Sequence, residues 1–355
     1  MQSPKNPEKV LIGMSGGLDS SLTALLLNNS GYHVVGATLK TWHESSVSRD
    51  HVIEKAQKTA GELGIEHHVI DGEQAFKNKV VDYFCHEYLS GRTPNPCNRC
   101  NPLIKWPLLL EKADELDCPT IATGHYVRKV YANNKWFIQK GVDDQKDQSY
   151  FLWNLDQNIL ERAIFPLGGK TKEEVRQMAI AKGLQETVRQ RESMGVCFLK
   201  ENDYRNFIKQ WARENNIRIL PGEIVDEKGA IMGQHPGLPY FTIGQKRGLG
   251  LESKNLAVAH MDAASNRIMV ADAGSLTFSH LTLRDYHLTA PLEKNQSRKV
   301  SIRILGFDTV PYIPGQIKVD EQGLQVEFFK KAHGLTPGQS IVFYGEDCVI
   351  GGGIF

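Results

Sequence analysis

The sequence predicts an α/β fold: a doubly wound parallel sheet in the N-terminal domain, followed by a small central β-rich domain and a C-terminal β-barrel. Three observations predict it. From Lys9 to Thr123 short apolar runs alternate with amphipathic stretches, a Gly-rich turn joins the first run to the first helix, and from Pro221 onward short β-type runs are split by turn residues.

"KVLIGM" reads as the first strand. Ser20 to Asn29 follows as a helix with Leu22, Leu25 and Leu26 on one side, and "HVVGATL" is the second strand. Val52, Ile53, Ala56, Ala60 and Leu63 form a helical stripe stopped at Gly64. "EHHVI" is then a strand, Glu73 to Leu89 a helix, Ile104 to Leu116 a helix and "PTIATG" a strand. Thr171 and Glu174 frame a helix from Lys172 to Lys182 as a capping box, with Gly183 as its stop. A last helix covers Asp203 to Glu214. "GEIVDEKGAIMG", "AVAHMDAASNRIMVAD", "RKVSIRIL", "GQIKV", "LQVEFF" and "QSIVFYGEDCVIGGG" supply the β part. The expected boundaries are 1–202, 203–278 and 279–355.

With 355 residues, 41% hydrophobic and 23% charged, the chain is long enough for two or three domains and has the composition of a soluble one. No apolar run is long enough to cross a bilayer, which argues against a membrane role, and the N-terminus lacks a signal-peptide pattern; a cytoplasmic location is expected. A net charge of +1 neither suggests nor forbids a nucleic-acid partner. Six scattered cysteines do not make a disulfide scaffold, so any that matter should matter chemically.

"GMSGGLDSS", Gly13 to Ser21, lies between the first strand and the first helix. Its glycines allow a tight turn close to an anion, and the helix amides supply donors and a favourable dipole. The lysine of a Walker motif is missing, which excludes the usual kinase or GTPase reading. In "GRTPNPCNRC", Asn101 and Pro102 read as the N-cap and first residue of the following helix. Cys100 is then expected just before a helix N-terminus, where a thiolate is favoured. A zinc site with Cys97 and Cys100 would need His86 and His125, since no second CxxC exists, and an iron–sulfur cluster on Cys97, Cys100 and Cys197 is a further alternative. Taken alone, Cys197 in "SMGVCFL" reads as a buried small hydrophobe.

"SGGLDS" resembles the pyrophosphate loop of the ATP pyrophosphatase superfamily, whose sheet is adenine nucleotide alpha hydrolase-like. That resemblance implies that ATP is held by Gly13, Met14, Ser15, Gly16, Gly17, Leu18, Asp19 and Ser20, with Asp19 helping to hold Mg²⁺ and Leu39 packing near the adenine. Leu39 reads equally as a core residue. "GMSGGLDSS", "GRTPNPCNRCN", "ATGHYVRK", "DQKDQSYFLW", "FPLGGKTKEEVR", "ESMGVCFL", "GLPYFTIGQKRGLG" and the ending "PGQSIVFYGEDCVIGGGIF" together resemble, in order and over nearly the whole chain, the tRNA-specific 2-thiouridylases, the MnmA family.

This second resemblance implies an enzyme that uses ATP and Mg²⁺ to adenylate O2 of the wobble uridine and replaces that oxygen with sulfur, giving 2-thiouridine, AMP and pyrophosphate. Cys100 matches the first catalytic cysteine and Cys197 the one that carries a persulfide, with a Cys100–Cys197 disulfide left after transfer. Gly124 matches an ATP contact. Asn95, Pro96 and Cys97 match the border of the target base, although family members often carry Asp where this chain has Cys97. His125, Lys146, Asp147, Gln148, Arg303, Ile304 and Gln339 match positions that touch tRNA. The implied partners are the anticodon loop of tRNA, of the Lys, Glu and Gln kinds, and a persulfide donor such as a cysteine desulfurase or sulfur-relay protein.

Overall fold

The structure, a computed structural model, describes residues 7–44, 46–189, 195–200, 203–251, 255–306 and 311–355. The expected boundary at 202 lies outside the described residues, as does Glu192 to Met194 of the "ESMGVCFL" motif. The chain divides into two compact units: Met1–Lys79 with Cys97–Lys200 and Asp347–Val349, and Val80–Pro96 with Glu201–Glu346 and Ile350–Phe355.

The first unit is built on a five-stranded parallel sheet in the order Glu66–Asp71, His33–Lys40, Lys9–Gly13, Thr120–Ala122, Ala163–Ile164. Val10, Leu11 and Ile12 are fully buried, as a central parallel strand covered on both faces requires. One face packs Val10, Ile12 and Val34 under Ala24 and Leu27 of helix Leu18–Asn29 and under Ala56 and Ala60 of helix Ser46–Glu62. Each large aliphatic side chain buried in this way stabilises by about 1.5–3 kcal/mol. A second cluster joins Leu18 and Leu22 to Tyr126, Leu167 and to Val175 and Ala179 of helix Lys172–Ala181. That helix carries the expected capping box in full: Glu174 N donates to Thr171 Oγ1, and Thr171 N donates to the Glu174 carboxylate.

The strand order reverses at Lys9–Gly13, whose neighbours lie to either side of it. A crevice opens at the carboxyl end of such a switch strand, and "GMSGG" leaves the sheet there. Sequence reading missed the antiparallel hairpin Val127–Ala132 and Lys135–Lys140. Its turn residues Asn133 and Asn134 both have positive φ, +50° and +59°, the requirement of a tight type I′ turn.

In the second unit a four-stranded sheet runs Leu256–Asp262, Arg267–Asp272, Gly222–Val225, Ile231–His235. Helix Tyr204–Glu214, capped by the Asp203 carboxylate, lies beside helix Asp82–Leu89. Tyr88 stacks on Tyr204 at 4.6 Å, and Trp211 Nε1 donates to Asp82 at 2.9 Å. The C-terminal β part is antiparallel, with Thr277–Leu283, Gly323–His333, Ile313–Asp320, Ser297–Arg303 and Ser340–Gly345 as successive neighbours around a core of Ile302, Ile317, Leu324, Val326 and Phe343.

Candidate functional site

The phosphate loop is braced from within. Met14 N donates to Ala37 O at 2.7 Å and Thr38 Oγ1 to Met14 O at 2.9 Å, fixing the start of the loop to the neighbouring strand. Ser20 Oγ accepts from Ser15 N and donates to Gly17 O, closing the loop on the helix. Gly16 has φ +67°, and a Cβ there would lie 2.8 Å from Ala56 N, so only glycine passes at this point. Gly17 caps helix Leu18–Asn29 without a side-chain hydrogen bond. The first-turn amides and the positive end of the dipole therefore face outward, a fit for phosphate. Leu39 is half-buried at the carboxyl end of its strand. At Gly124 a Cβ would meet the Asp19 backbone at 3.0–3.1 Å, so its strand-end turn lies directly on the loop.

Asp19 is not alone. Lys172 Nζ donates to both of its oxygens, at 2.8 and 2.9 Å, and Tyr126 OH donates to Oδ1 at 2.7 Å. Lys172 is 6% exposed, so removing Asp19 strands a buried ammonium at a cost on the order of 3 kcal/mol. Mg²⁺ takes one or two carboxylates plus phosphate oxygens. Asp19, already shared between Lys172 and Tyr126, does not make a metal site by itself. Among the described residues no three of His, Cys, Asp or Glu are grouped to hold a metal ion.

Sequence reading passed over Lys172 and Tyr126. A lysine at the first position of a well-capped helix opposes the dipole, and that local oddity was the available signal. Lys55, whose stem lies against Gly16 and whose ammonium is made less basic by burial, gave no comparable signal.

The cysteine segment corrects one expectation. The helix does not begin at Asn101: Pro96–Cys100 is already helical, a wide π turn spans Asn101–Lys105, and an α-helix continues over Trp106–Glu115. Pro102 has no N–H to donate back along the helix, and the wide turn absorbs the missing bond. Cys100 thus sits at the end of the first turn, and Cys97 is the cysteine nearest the N-terminus. Asn101, expected as a cap, instead donates from Nδ2 to Cys97 O at 3.1 Å and Phe151 O at 3.0 Å.

The favoured thiolate at Cys100 is overturned as well. Burial pushes its thiol up to about 11, opposed by the Lys105 charge and by a hydrogen bond from the Lys105 amide. Burial pushes Cys197 to about 12, reinforced by Cys97 and Cys100 and again opposed by Lys105; Cys97 is raised for the same leading reason. Cys97 and Cys197 nevertheless present surface to solvent, while Cys100 is half-buried. The three thiols act on one another electrostatically with Lys105 as the shared cation, a residue the sequence did not point to. None of the six cysteines is in a disulfide, so the expected Cys100–Cys197 bond is not formed in this structure. Cys197 is held by its neighbour: Phe198 is buried edge-on against Trp42 and Phe76, and its carbonyl accepts from Glu44 N.

Residues 123–126 join the two centres. His125 feels the Lys105 charge and, through burial first, is kept well below its ordinary pKa as a neutral ring. It lies over Trp106 and accepts from or donates to Thr123 Oγ1 at 2.7 Å, according to its tautomer. Gly124 packs on the phosphate loop, and Tyr126 reaches Asp19.

The remaining expected RNA contacts divide. Lys146 and Gln148 are half-buried on a turn of the first unit, whereas Asp147 is buried, its carboxylate accepting from Gly141 N, Ser149 N and Ser149 Oγ. In the second unit Arg303 points inward to Leu305 O and lies 5.6 Å over the Tyr312 ring, and Ile304 is fully buried. Gln339 Nε2 donates to Thr93 O at 2.7 Å while Thr93 N donates to Pro337 O, so Gln339 helps set the "TPNP" run, where Asn95 is half-buried and Pro96 buried. Cys97, Cys100, Cys197, His125 and the phosphate loop thus lie in the first unit, with Lys146, Asp147 and Gln148, while Arg303, Ile304 and Gln339 lie in the second.

Three family models match in series: a tRNA methyl transferase HUP domain over residues 8–201, a tRNA methyl transferase PRC-barrel domain over 205–272 and an aminomethyltransferase beta-barrel domain over 278–355. The chain is 44% identical to tRNA-specific 2-thiouridylase MnmA 3 of Phocaeicola vulgatus, covering 97% of this chain and 93% of the relative. It is 41% identical to MnmA 3 of Bacteroides fragilis (98% and 94% covered) and 41% identical to MnmA 2 of Thermoanaerobacter pseudethanolicus (98% and 97%).

Proposed function

The chain belongs to the tRNA-specific 2-thiouridylase family, and from that premise we propose that it adenylates O2 of the wobble uridine and exchanges that oxygen for sulfur carried as a persulfide on Cys197. The observation that supports this reading best is the joining of a phosphate cradle and a set of thiols through residues 123–126 of one unit. A methyl transfer, which the labels of two family models name, has no use for this pairing. Sulfur insertion needs both parts.

The step order follows from leaving-group chemistry. Uracil O2 is a poor leaving group, so it attacks the α-phosphorus of ATP and pyrophosphate departs, its charge met by the first-turn amides of helix Leu18–Asn29. Mg²⁺ is proposed to enter with the phosphates. The terminal sulfur of the Cys197 persulfide adds to C2, and AMP leaves with O2. Cys100 then attacks the inner sulfur of Cys197, the S–S bond breaks, and 2-thiouridine forms with a Cys100–Cys197 disulfide. A dithiol reductant returns two electrons and two protons. A cysteine desulfurase or sulfur-relay protein is the proposed donor, and tRNAs of the Lys, Glu and Gln kinds the proposed substrates.

Burial pushes the Cys100 thiol up to about 11, so its attack on the inner sulfur requires loss of a proton beside Lys105. His125, neutral in its aromatic setting, is suited to hydrogen-bond an extruded base rather than to repel or attract charge.

The test incubates the protein with ATP, Mg²⁺, a persulfide donor and unmodified tRNA, and reads nucleosides by mass spectrometry. ATP-dependent 2-thiouridine is expected from the native chain, and none from Cys100→Ala or Cys197→Ala, with ATP binding in both variants within about twofold of native. Retained product in either variant would sink the two-cysteine scheme. No AMP from the native chain would sink the enzyme.

A further inference from the structure

Two hydrogen-bonded links run from the phosphate loop to the turn that carries Lys146 and Gln148. In the first, Tyr126 OH donates to Asp19 Oδ1 at 2.7 Å, while its backbone is clamped by Gln148 from both sides: Tyr126 N donates to Gln148 Oε1 at 3.0 Å and Gln148 N to Tyr126 O at 3.2 Å. In the second, Lys172 Nζ holds both Asp19 oxygens and Lys172 N donates to Asp143 Oδ2 at 2.8 Å. The turn between them is internally fixed, Lys146 N donating to Asp143 O and Asp147 closing on Gly141 and Ser149.

Tyr126 is 2% and Lys172 6% exposed, and Gly141 allows no Cβ because Tyr126 O is 2.7 Å from where it would be. Such a set is stiff, and its bonds are strengthened by the low dielectric around them. The buried Lys172 ammonium cannot be left unpaired, so a shift of the turn moves it together with Asp19 rather than stretching one bond.

We propose that Tyr126 and Lys172 are positioning residues that tie the Lys146–Gln148 turn to Asp19, so that RNA seated on the turn sets the grip of the phosphate loop on nucleotide. The inference rests on the proposed function, which puts RNA at Lys146 and Gln148 and ATP at the loop. The two ligands then bind cooperatively, and by linkage the coupling is the same measured from either side.

The experiment titrates a non-hydrolysable ATP analogue into the full chain with and without unmodified tRNA, and tRNA with and without the analogue. In the native chain each ligand tightens the other by about fivefold or more. Tyr126→Phe keeps the buried ring and removes the bond to Asp19; its coupling factor falls toward one while its melting temperature and its affinity for tRNA alone stay near native. Lys172→Arg, which preserves the ion pair, retains more of the coupling than Lys172→Met. An unchanged coupling factor in Tyr126→Phe, or no coupling in the native chain, overturns the proposal. A native chain that binds no analogue at all overturns the proposed function, and the positioning role with it.

Discussion

The phosphate loop and the cysteine recess occupy the same unit but are built on opposite principles. The loop works through backbone: glycine conformations, a hydroxyl brace at Ser20 and uncapped helix amides, all supplied by residues adjacent in sequence. The recess works through charge and burial, with Cys97, Cys100 and Lys105 from one helical run, Cys197 from a segment far along the chain and His125 from a third. A backbone site tolerates little change at a glycine. A charge-poised site has the reverse sensitivity.

The sharpest way to break that contrast is Gly16→Ala. The left-handed φ costs about 1–2 kcal/mol for a residue with a Cβ, and the 2.8 Å approach to Ala56 N adds to it. The clash displaces the loop backbone that would receive the phosphates, so ATP affinity is expected to fall about tenfold, about 1.4 kcal/mol of lost binding. Iodoacetamide labelling of Cys197, followed by peptide mass spectrometry, is expected to keep its native rate. Equal damage to both would mean that the two centres are one mechanical object.

The second test acts on the recess. Raised thiols ionise late, so the alkylation rate of Cys100 and Cys197 should climb about tenfold per pH unit through pH 9 without the plateau near 8.5 that an ordinary cysteine shows. Lys105→Met removes the shared cation that opposes those shifts. Labelling at neutral pH is then expected to slow by a factor of about three to ten, up to one further pKa unit, with nucleotide affinity unchanged. Faster labelling in the variant would reverse the sign assigned to Lys105.

The same contrast explains what could be read from the chain. The glycine turn at Gly16 and Gly17 is legible because its chemistry is local, although the helix begins at Leu18 rather than Ser20, and so is the capping box of Thr171 and Glu174. Cys100 and Cys197 stand out by resemblance, but the helix start that would favour a thiolate at Cys100 is not at Asn101: a π turn carries Pro102 inside a longer helical run. Burial, which controls both thiols, is a tertiary property that no short pattern encodes. Lys105, Tyr126 and Lys172 were missed for the same reason, since each acts on a residue distant in sequence or through the fold around it.

The smallest expected effect is the most selective. Thr171→Ala removes the hydroxyl that accepts from Glu174 N, while Thr171 N still donates to the Glu174 carboxylate, so only part of the cap is lost. Such a loss costs about 1 kcal/mol, a fall of about 2–4 °C in the melting temperature of a unit this size. Lys172 is the next residue, and its amide remains fixed by Asp143 Oδ2. The Asp19 pair should therefore loosen only slightly, weakening ATP binding by about twofold, with thiol labelling at its native rate. Calorimetry and analogue titration on the same preparation check both. A tenfold loss of nucleotide affinity from this one hydroxyl would show that the Asp19–Lys172 pair depends on the helix cap and not on the Asp143 anchor of the Lys172 amide.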